Sequence, residues 1–176
     1  MSIAAVNARP LGLPKAQPAV PPVTRPALQI RSSHDDKRKI LFVTSELTDL
    51  VKTGGLADVT GALPGALGRL GVAVRTVLPG YPAVTARLPG RARASHAYDD
   101  LFGGRARIVA AEIDGLDLMV LDAPHLFDRP GGAYGDAGGV DWPDNWRRFA
   151  AFSRAAADAA TGAIAGFRPD IVHVHD

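Results

Sequence analysis

The 176-residue sequence contains no cysteine. That excludes a disulfide framework and any thiolate metal site, and it fits a reducing compartment. No apolar run approaches the roughly 20 residues needed to span a bilayer, and no continuous apolar segment near Met1 suits a signal peptide. Three common catalytic signatures are also missing: the Gly-x-Ser-x-Gly elbow, the Gly-x-x-x-x-Gly-Lys-Ser/Thr loop and the Gly-x-Gly-x-x-Gly fingerprint. Their absence argues against serine hydrolases, P-loop NTPases and dinucleotide-binding dehydrogenases. Net charge is only +2. Residues 1–38 hold Arg9, Lys15, Arg25, Arg31, Lys37 and Arg38 against Asp35 and Asp36, a net of +4 that leaves the remainder at −2. The basic balance therefore belongs to the tail, and no nucleic-acid or membrane partner is expected for the rest.

What is present begins with that tail. Residues 1–38 are rich in Pro, Ala and Arg and lack apolar periodicity, so they read as a disordered, solvated extension. Scarce serine and no amphipathic spacing weigh against an organellar transit peptide. From Lys39 the pattern changes. Lys39 to Ser45 suits a buried strand, and a helix from Gly55 to Leu70 is expected to bury Leu56, Val59, Leu63, Leu67 and Leu70. Pro64 should kink that helix, and Val72 to Leu78 forms the second strand of a βαβ unit. Arg105–Ile113 and Leu116–Leu121 read as strands around an Asp114-Gly115 turn. A long loop over residues 123–144 is of a length often linked to function. The next helix, about 144–165, should bury Trp146, Phe149, Ser153, Ala156, Ala160 and Ile164. Arg147, Arg148 and Arg154 would face solvent, and Gly166 would end it. Ile171 to His175 is the final strand. This order predicts an open, mostly parallel, Rossmann-like α/β sheet with ligands at the carboxyl ends of its strands.

Two clusters meet at those ends. In Lys52-Thr53-Gly54-Gly55 a glycine pair opens a helix, where free amides and the helix dipole favour an anion, and Lys52 adds a mobile positive charge. An exposed lysine beside a plain helix cap is the bland alternative. In His173-Val174-His175-Asp176, strand alternation puts both histidines on one face. Three readings stay open there: a metal ligand set, a polar floor for a sugar or phosphate, and histidines satisfied by local backbone. His125 is either catalytic or bonded to nearby backbone. Tyr134 and Trp142 either stack on sugar rings or pin their loop.

Several ordered blocks add a resemblance. Ser45-Glu46, Lys52-Thr53-Gly54-Gly55-Leu56-Ala57-Asp58-Val59, Gly61-Ala62-Leu63-Pro64 and Leu78-Pro79-Gly80-Tyr81 come first. Asp122 through Gly131, Asp144-Asn145 with Arg148-Phe149-Ala150, and Pro169 through Asp176 follow. Over residues 39–176 the chain resembles bacterial glycogen synthases and plant starch synthases. The resemblance implies an incomplete N-terminal half of a two-domain GT-B glycosyltransferase. Such an enzyme moves glucose from ADP-glucose, with retention, to the non-reducing end of an α-1,4-glucan, with no metal or cofactor. It assigns Lys52 to the donor and to catalysis, Gly54 and Gly55 to the diphosphate, and Asp176 to positioning or charge stabilisation. Asp58, Tyr134 and His175 fall to the sugar or acceptor. The contacts that discriminate ADP-glucose from UDP-glucose are implied to lie in the second domain. The expected compartment is a bacterial cytoplasm, with a plastid as the alternative. Thr48-Asp49 departs from the Phe-Pro usual in the family. Because the family continues far beyond Asp176, this chain alone is expected to be inactive. The competing reading is a non-catalytic half-domain that binds glucan or nucleotide; a metal-dependent hydrolase is a third.

Overall fold

The computed structural model describes residues 37–90 and 92–175. The tail assigned above to residues 1–38 lies almost wholly outside them, and so does Asp176. Six strands form one sheet in the order β3-β4-β5-β2-β1-β6. They are β1 (Lys39–Val43), β2 (Ala73–Pro79), β3 (Ala94–Tyr98), β4 (Ala106–Ile113), β5 (Leu116–Asp122) and β6 (Ile171–Val174). Four of them, β5, β2, β1 and β6, run parallel, and β4 and β3 add antiparallel strands at the far side. The expected mostly parallel open sheet is what forms. Continuous apolar runs drive it: Leu41, Phe42, Val77, Leu78, Leu118, Met119, Val120 and Leu121 are fully enclosed, as strands covered on both faces require. Asp114 (φ 53°) and Gly115 (φ 76°) make the β4–β5 turn with both residues in the left-handed region, the backbone of a tight hairpin.

Among the described residues four helices accompany the sheet: α1 (Gly55–Arg69), α2 (Pro82–Thr85), α3 (Pro124–Phe127) and α4 (Asn145–Thr161). Both long helices are rotated from the expected stripe. In α1 the buried residues are Ala57, Thr60 and Pro64, while Val59 is exposed and Leu70 is 80% exposed. Small side chains let the helix lie close on the sheet, so the leucines flank the contact instead of filling it. The helix also runs through Pro64 as a single element. In α4 the buried face is Arg148, Ala151, Phe152, Ala155, Ala156 and Ala159. Trp146 is 72% exposed and Ser153 is exposed. Arg148, expected at the surface, is 1% exposed. The helix ends at Thr161 and not at Gly166, because Gly162 (φ 107°) already supplies the left-handed cap. β3, α2 and α3 were not expected, and α3 falls inside the segment 123–144 expected to be loop; elements of four or five residues are too short to carry a periodic signal.

Candidate functional site

The carboxyl ends of β1 and β6 lie side by side, and both clusters singled out in the sequence hang from them. After β1 the chain makes a closed loop over residues 46–54. Leu47 and Val51 exchange backbone hydrogen bonds of 2.9 Å each, and Asp49 takes a positive φ of 69° at the tip. Proline cannot adopt that angle, so Asp49 gives the loop a shape that the family's usual Phe-Pro would not. Thr48 seats the loop on α1: its hydroxyl donates to Ala57 O at 2.7 Å. A Cβ at Gly61 would stand 2.9 Å from Thr48 Cβ, so glycine is what permits the contact.

The base of this loop is joined by Glu46. The residue is 3% exposed, and its carboxylate accepts four hydrogen bonds. The amides of Thr53 and Gly54 donate to Oε2 at 2.8 and 3.2 Å. The Thr53 hydroxyl and the Tyr134 hydroxyl donate to Oε1, the latter at 2.9 Å. Burial raises the carboxyl pKa, but the Thr53 hydroxyl and amide, Tyr134 and the Gly54 amide outweigh it and hold the group below its ordinary value. An internal carboxylate therefore already takes part of the anion-attracting start of α1. Outside it, Gly54 and Gly55 are exposed, and a Cβ on either would meet nothing within 4 Å. Gly55 and Leu56 lie in the first turn, whose amides have no partner within the helix. Lys52 is exposed at the rim, its ammonium 2.6 Å from Asp58 Oδ1. That hydrogen bond depresses the Asp58 pKa.

Tyr134 reaches the same point from the far loop. Its hydroxyl lies 2.7 Å from Ser45 Oγ as well as on Glu46, and its ring tilts against Phe149 at 5.7 Å. Arg148 fixes that loop from inside. Its guanidinium donates to Leu126 O and Ala133 O at 2.9 Å each and to Asn145 Oδ1 at 2.7 Å. Asn145 in turn donates to Tyr134 O at 2.7 Å. Arg129 forms a two-pronged pair with Asp144 at 2.6 Å and lies over the Trp142 ring. Both Tyr134 and Trp142 thus pin the loop. Glu46 and Arg148 are the residues that sequence reasoning missed. Both sit inside the family-like blocks, but nothing in local spacing announces a buried charge.

On the other side, His173 and His175 share a face as expected, their rings 4.4 Å apart and both against Phe42. His175 N donates to Val43 O at 2.9 Å, yet its ring Nε2 is buried without a partner among the described residues. The backbone-satisfied reading therefore fails for that nitrogen. Burial, then the neighbouring His173, pushes the His175 pKa down, favouring the neutral ring. No group of three or more potential metal-ligating His, Cys, Asp or Glu residues occurs among the described residues. His125 is bonded to backbone, its Nε2 2.9 Å from Leu101 O. Ser45, Tyr134, Asn145 and His175 edge a groove of about 850 Å³ between α4 and β6.

Comparison with known proteins identifies the family. Residues 39–176 match the family described as the starch synthase catalytic domain. A glycogen synthase of Mesorhizobium japonicum is 62% identical over 138 residues, covering 78% of this chain and 28% of the relative. One from Novosphingobium aromaticivorans is 58% identical with the same coverage. Among solved structures, the catalytic domain of starch synthase IV from Arabidopsis thaliana, bound to ADP and acarbose, superposes with a TM-score of 0.58 at 31% identity. That match covers 80% of this chain and 28% of the other. The chain thus spans little more than a quarter of the length of these relatives.

Proposed function

The chain belongs to the starch synthase catalytic-domain family, a family of GT-B glycosyltransferases, and from that premise we propose the reaction it serves. It is the N-terminal portion of a glycogen or starch synthase that transfers glucose from ADP-glucose to the non-reducing end of an α-1,4-glucan, with retention at the anomeric carbon. The observation that carries this reading is the exposed lysine beside an open glycine pair at the first turn of α1. Lys52 and the helix-start amides beside the open glycine pair offer a positive charge and free donors to an anion such as a diphosphate. As the bond from the anomeric carbon to the diphosphate breaks, negative charge grows on the leaving nucleotide. The lysine cation, released from its exposed contact with Asp58, and the aligned amides stabilise that charge.

In the same reading Gly54 and Gly55 lie along the diphosphate, and Asp58, Tyr134 and His175 face the sugar or glucan. Asp176, outside the described residues, closes the His-x-His-Asp block beside the transferred glucose. Transfer proceeds without a metal or other cofactor, the charge being met by Lys52 and the α1 amides. The ADP held by the plant structure supports an adenine nucleotide donor, and its acarbose supports a glucan groove. The two glycogen synthases named above are bacterial, which favours a bacterial cytoplasm over a plastid.

The test is Lys52→Ala in the full-length protein. Loss of about 100-fold in kcat/KM for ADP-glucose, with glucan KM unchanged, is the expected outcome; an unchanged kcat/KM would overturn the reading. The 176-residue chain alone is expected to transfer nothing, since one wall of a cleft cannot hold donor and acceptor together. Turnover by that chain would refute this, and glucan binding without turnover would match the binding-module reading.

A further inference from the structure

We propose that Glu46 is a positioning residue for the nucleotide-sugar donor. Its buried carboxylate clasps the loop that carries Lys52 and reserves the inner amides of the α1 entrance, so that the outer amides and Lys52 are presented together as a preformed diphosphate site. The inference rests on the reading of Lys52 given above and deepens it.

Three observations carry it. First, the carboxylate has no cationic partner: none of the ion pairs among the described residues includes Glu46. A charge removed from water without a counter-charge is costly unless hydrogen bonds replace its hydration. Here the four donors come from the Lys52 loop and from Tyr134. Second, the clasp is closed by geometry as well as by charge. Glu46 begins the loop and Thr53 and Gly54 end it, so the side chain spans the loop's base, while the Glu46 carbonyl is held by the hydroxyls of Thr60 (2.7 Å) and Thr44 (2.9 Å). Lys52 is the residue next to the clasp. Third, the two sides of the entrance are unlike. The inner amides, Thr53 and Gly54, point at Glu46, whereas the Gly54-Gly55 surface opposite is bare. A protein anion on the inside and a ligand anion on the outside would divide the entrance between them.

The same contacts pose an alternative in which Glu46 competes with the donor and must be displaced. The Tyr134 hydroxyl, reaching Glu46 from a loop anchored by Arg148 and Asn145, argues for a fixed group. The two cases move the donor KM in opposite directions.

The experiment uses the full-length protein and compares Glu46→Gln with wild type, reading donor KM, ADP dissociation constant, glucan KM and kcat. Glutamine keeps the shape but turns a donor toward the Thr53 and Gly54 amides or the hydroxyls. A positioning role raises donor KM and weakens ADP binding by about tenfold, while glucan KM holds. A competing role lowers donor KM and overturns the proposal. A structural role alone lowers the active fraction with both KM values unmoved, which also overturns it. Thr53→Val and Thr53→Ser serve if Glu46→Gln does not fold. Val should raise donor KM and Ser should restore it; equal values for both would count against the clasp. Lys52→Ala is measured alongside. If it raises donor KM and Glu46→Gln does not, only the Glu46 proposal fails. If Lys52→Ala leaves ADP binding unchanged, the underlying reading fails and takes this one with it.

Discussion

Glu46 and Arg148 are both buried and charged, of opposite sign, and neither takes part in any ion pair among the described residues. Glu46 is surrounded by donors, two of them amides; Arg148 by acceptors, two of them carbonyls. Each charge is solvated by backbone and side-chain groups of the segment it holds: Glu46 by the loop over residues 46–54 and Tyr134, Arg148 by Leu126 in α3, Ala133 and Asn145. Arg148 gathers Leu126 O and Ala133 O, so it shapes the loop leading to Tyr134. Glu46 gathers Thr53 and Gly54, so it shapes the loop bearing Lys52. Tyr134 joins the two systems through one hydroxyl. The exposed Lys52–Asp58 pair is the opposite case, two charges in water whose contact can open at little cost. Loops in this fold are held by buried charges, and the charge offered to a ligand is left free to move.

The comparison can be broken most forcefully at Arg148. Replacing it with methionine keeps much of the volume but strands three acceptors in the interior. Thermal or urea unfolding of the full-length protein should show a loss of about 3 kcal/mol in the transition of this domain. Glu46→Gln should cost less, about 2 kcal/mol, because the amide retains some acceptors. Its pH dependence sharpens the point. The folded carboxyl is held below its ordinary value of 4.5, so its contribution is fully present above that pH and is lost as pH falls through the folded value. The stability gap between wild type and Glu46→Gln should therefore close in acid; a gap that stays constant would mean the charge is irrelevant. Asp58→Asn should leave the unfolding transition where it is while changing the donor KM, since its partner Lys52 is then unrestrained. The smallest effect is expected at Asp49. Glycine there relieves the positive φ and should stabilise by a few tenths of a kcal/mol, whereas Asp49→Pro, incompatible with φ 69°, should destabilise and raise donor KM.

Much of the scaffold was legible from residue patterns. The βαβ opening, the Asp114-Gly115 hairpin, α4 and β6 follow from periodicity and turn chemistry, and each appears within a few residues of its expected bounds. The helix faces were not legible. A stripe of leucines is the usual sign of a buried face, but Ala57, Thr60 and Pro64 win in α1 because close approach to the sheet favours small side chains. In α4 the apolar stripe and the buried face differ by one position, and Arg148 gains from three acceptors what periodicity assigned to solvent. Lys52, Gly54 and Gly55 stood out because glycine pairs at helix starts have a direct physical meaning. Glu46 did not, since its partners lie seven, eight and 88 residues away.

The pairing of β1 with β6 has a bearing on how the protein forms. Lys39 N donates to Asp170 Oδ2 at 2.7 Å across a separation of 131 residues, and Ile40 registers with Ile171. Bringing such distant segments together carries a large chain-closure entropy, so contacts of this kind form late. The Lys52 loop, by contrast, closes on neighbours within about ten residues of itself. During synthesis the anion-binding turn is therefore shaped early, and the histidine strand docks beside it only after nearly all the intervening chain has left the ribosome. Until then the edge of β1 stands open, and that interval is when the nascent sheet is most prone to pair with another chain.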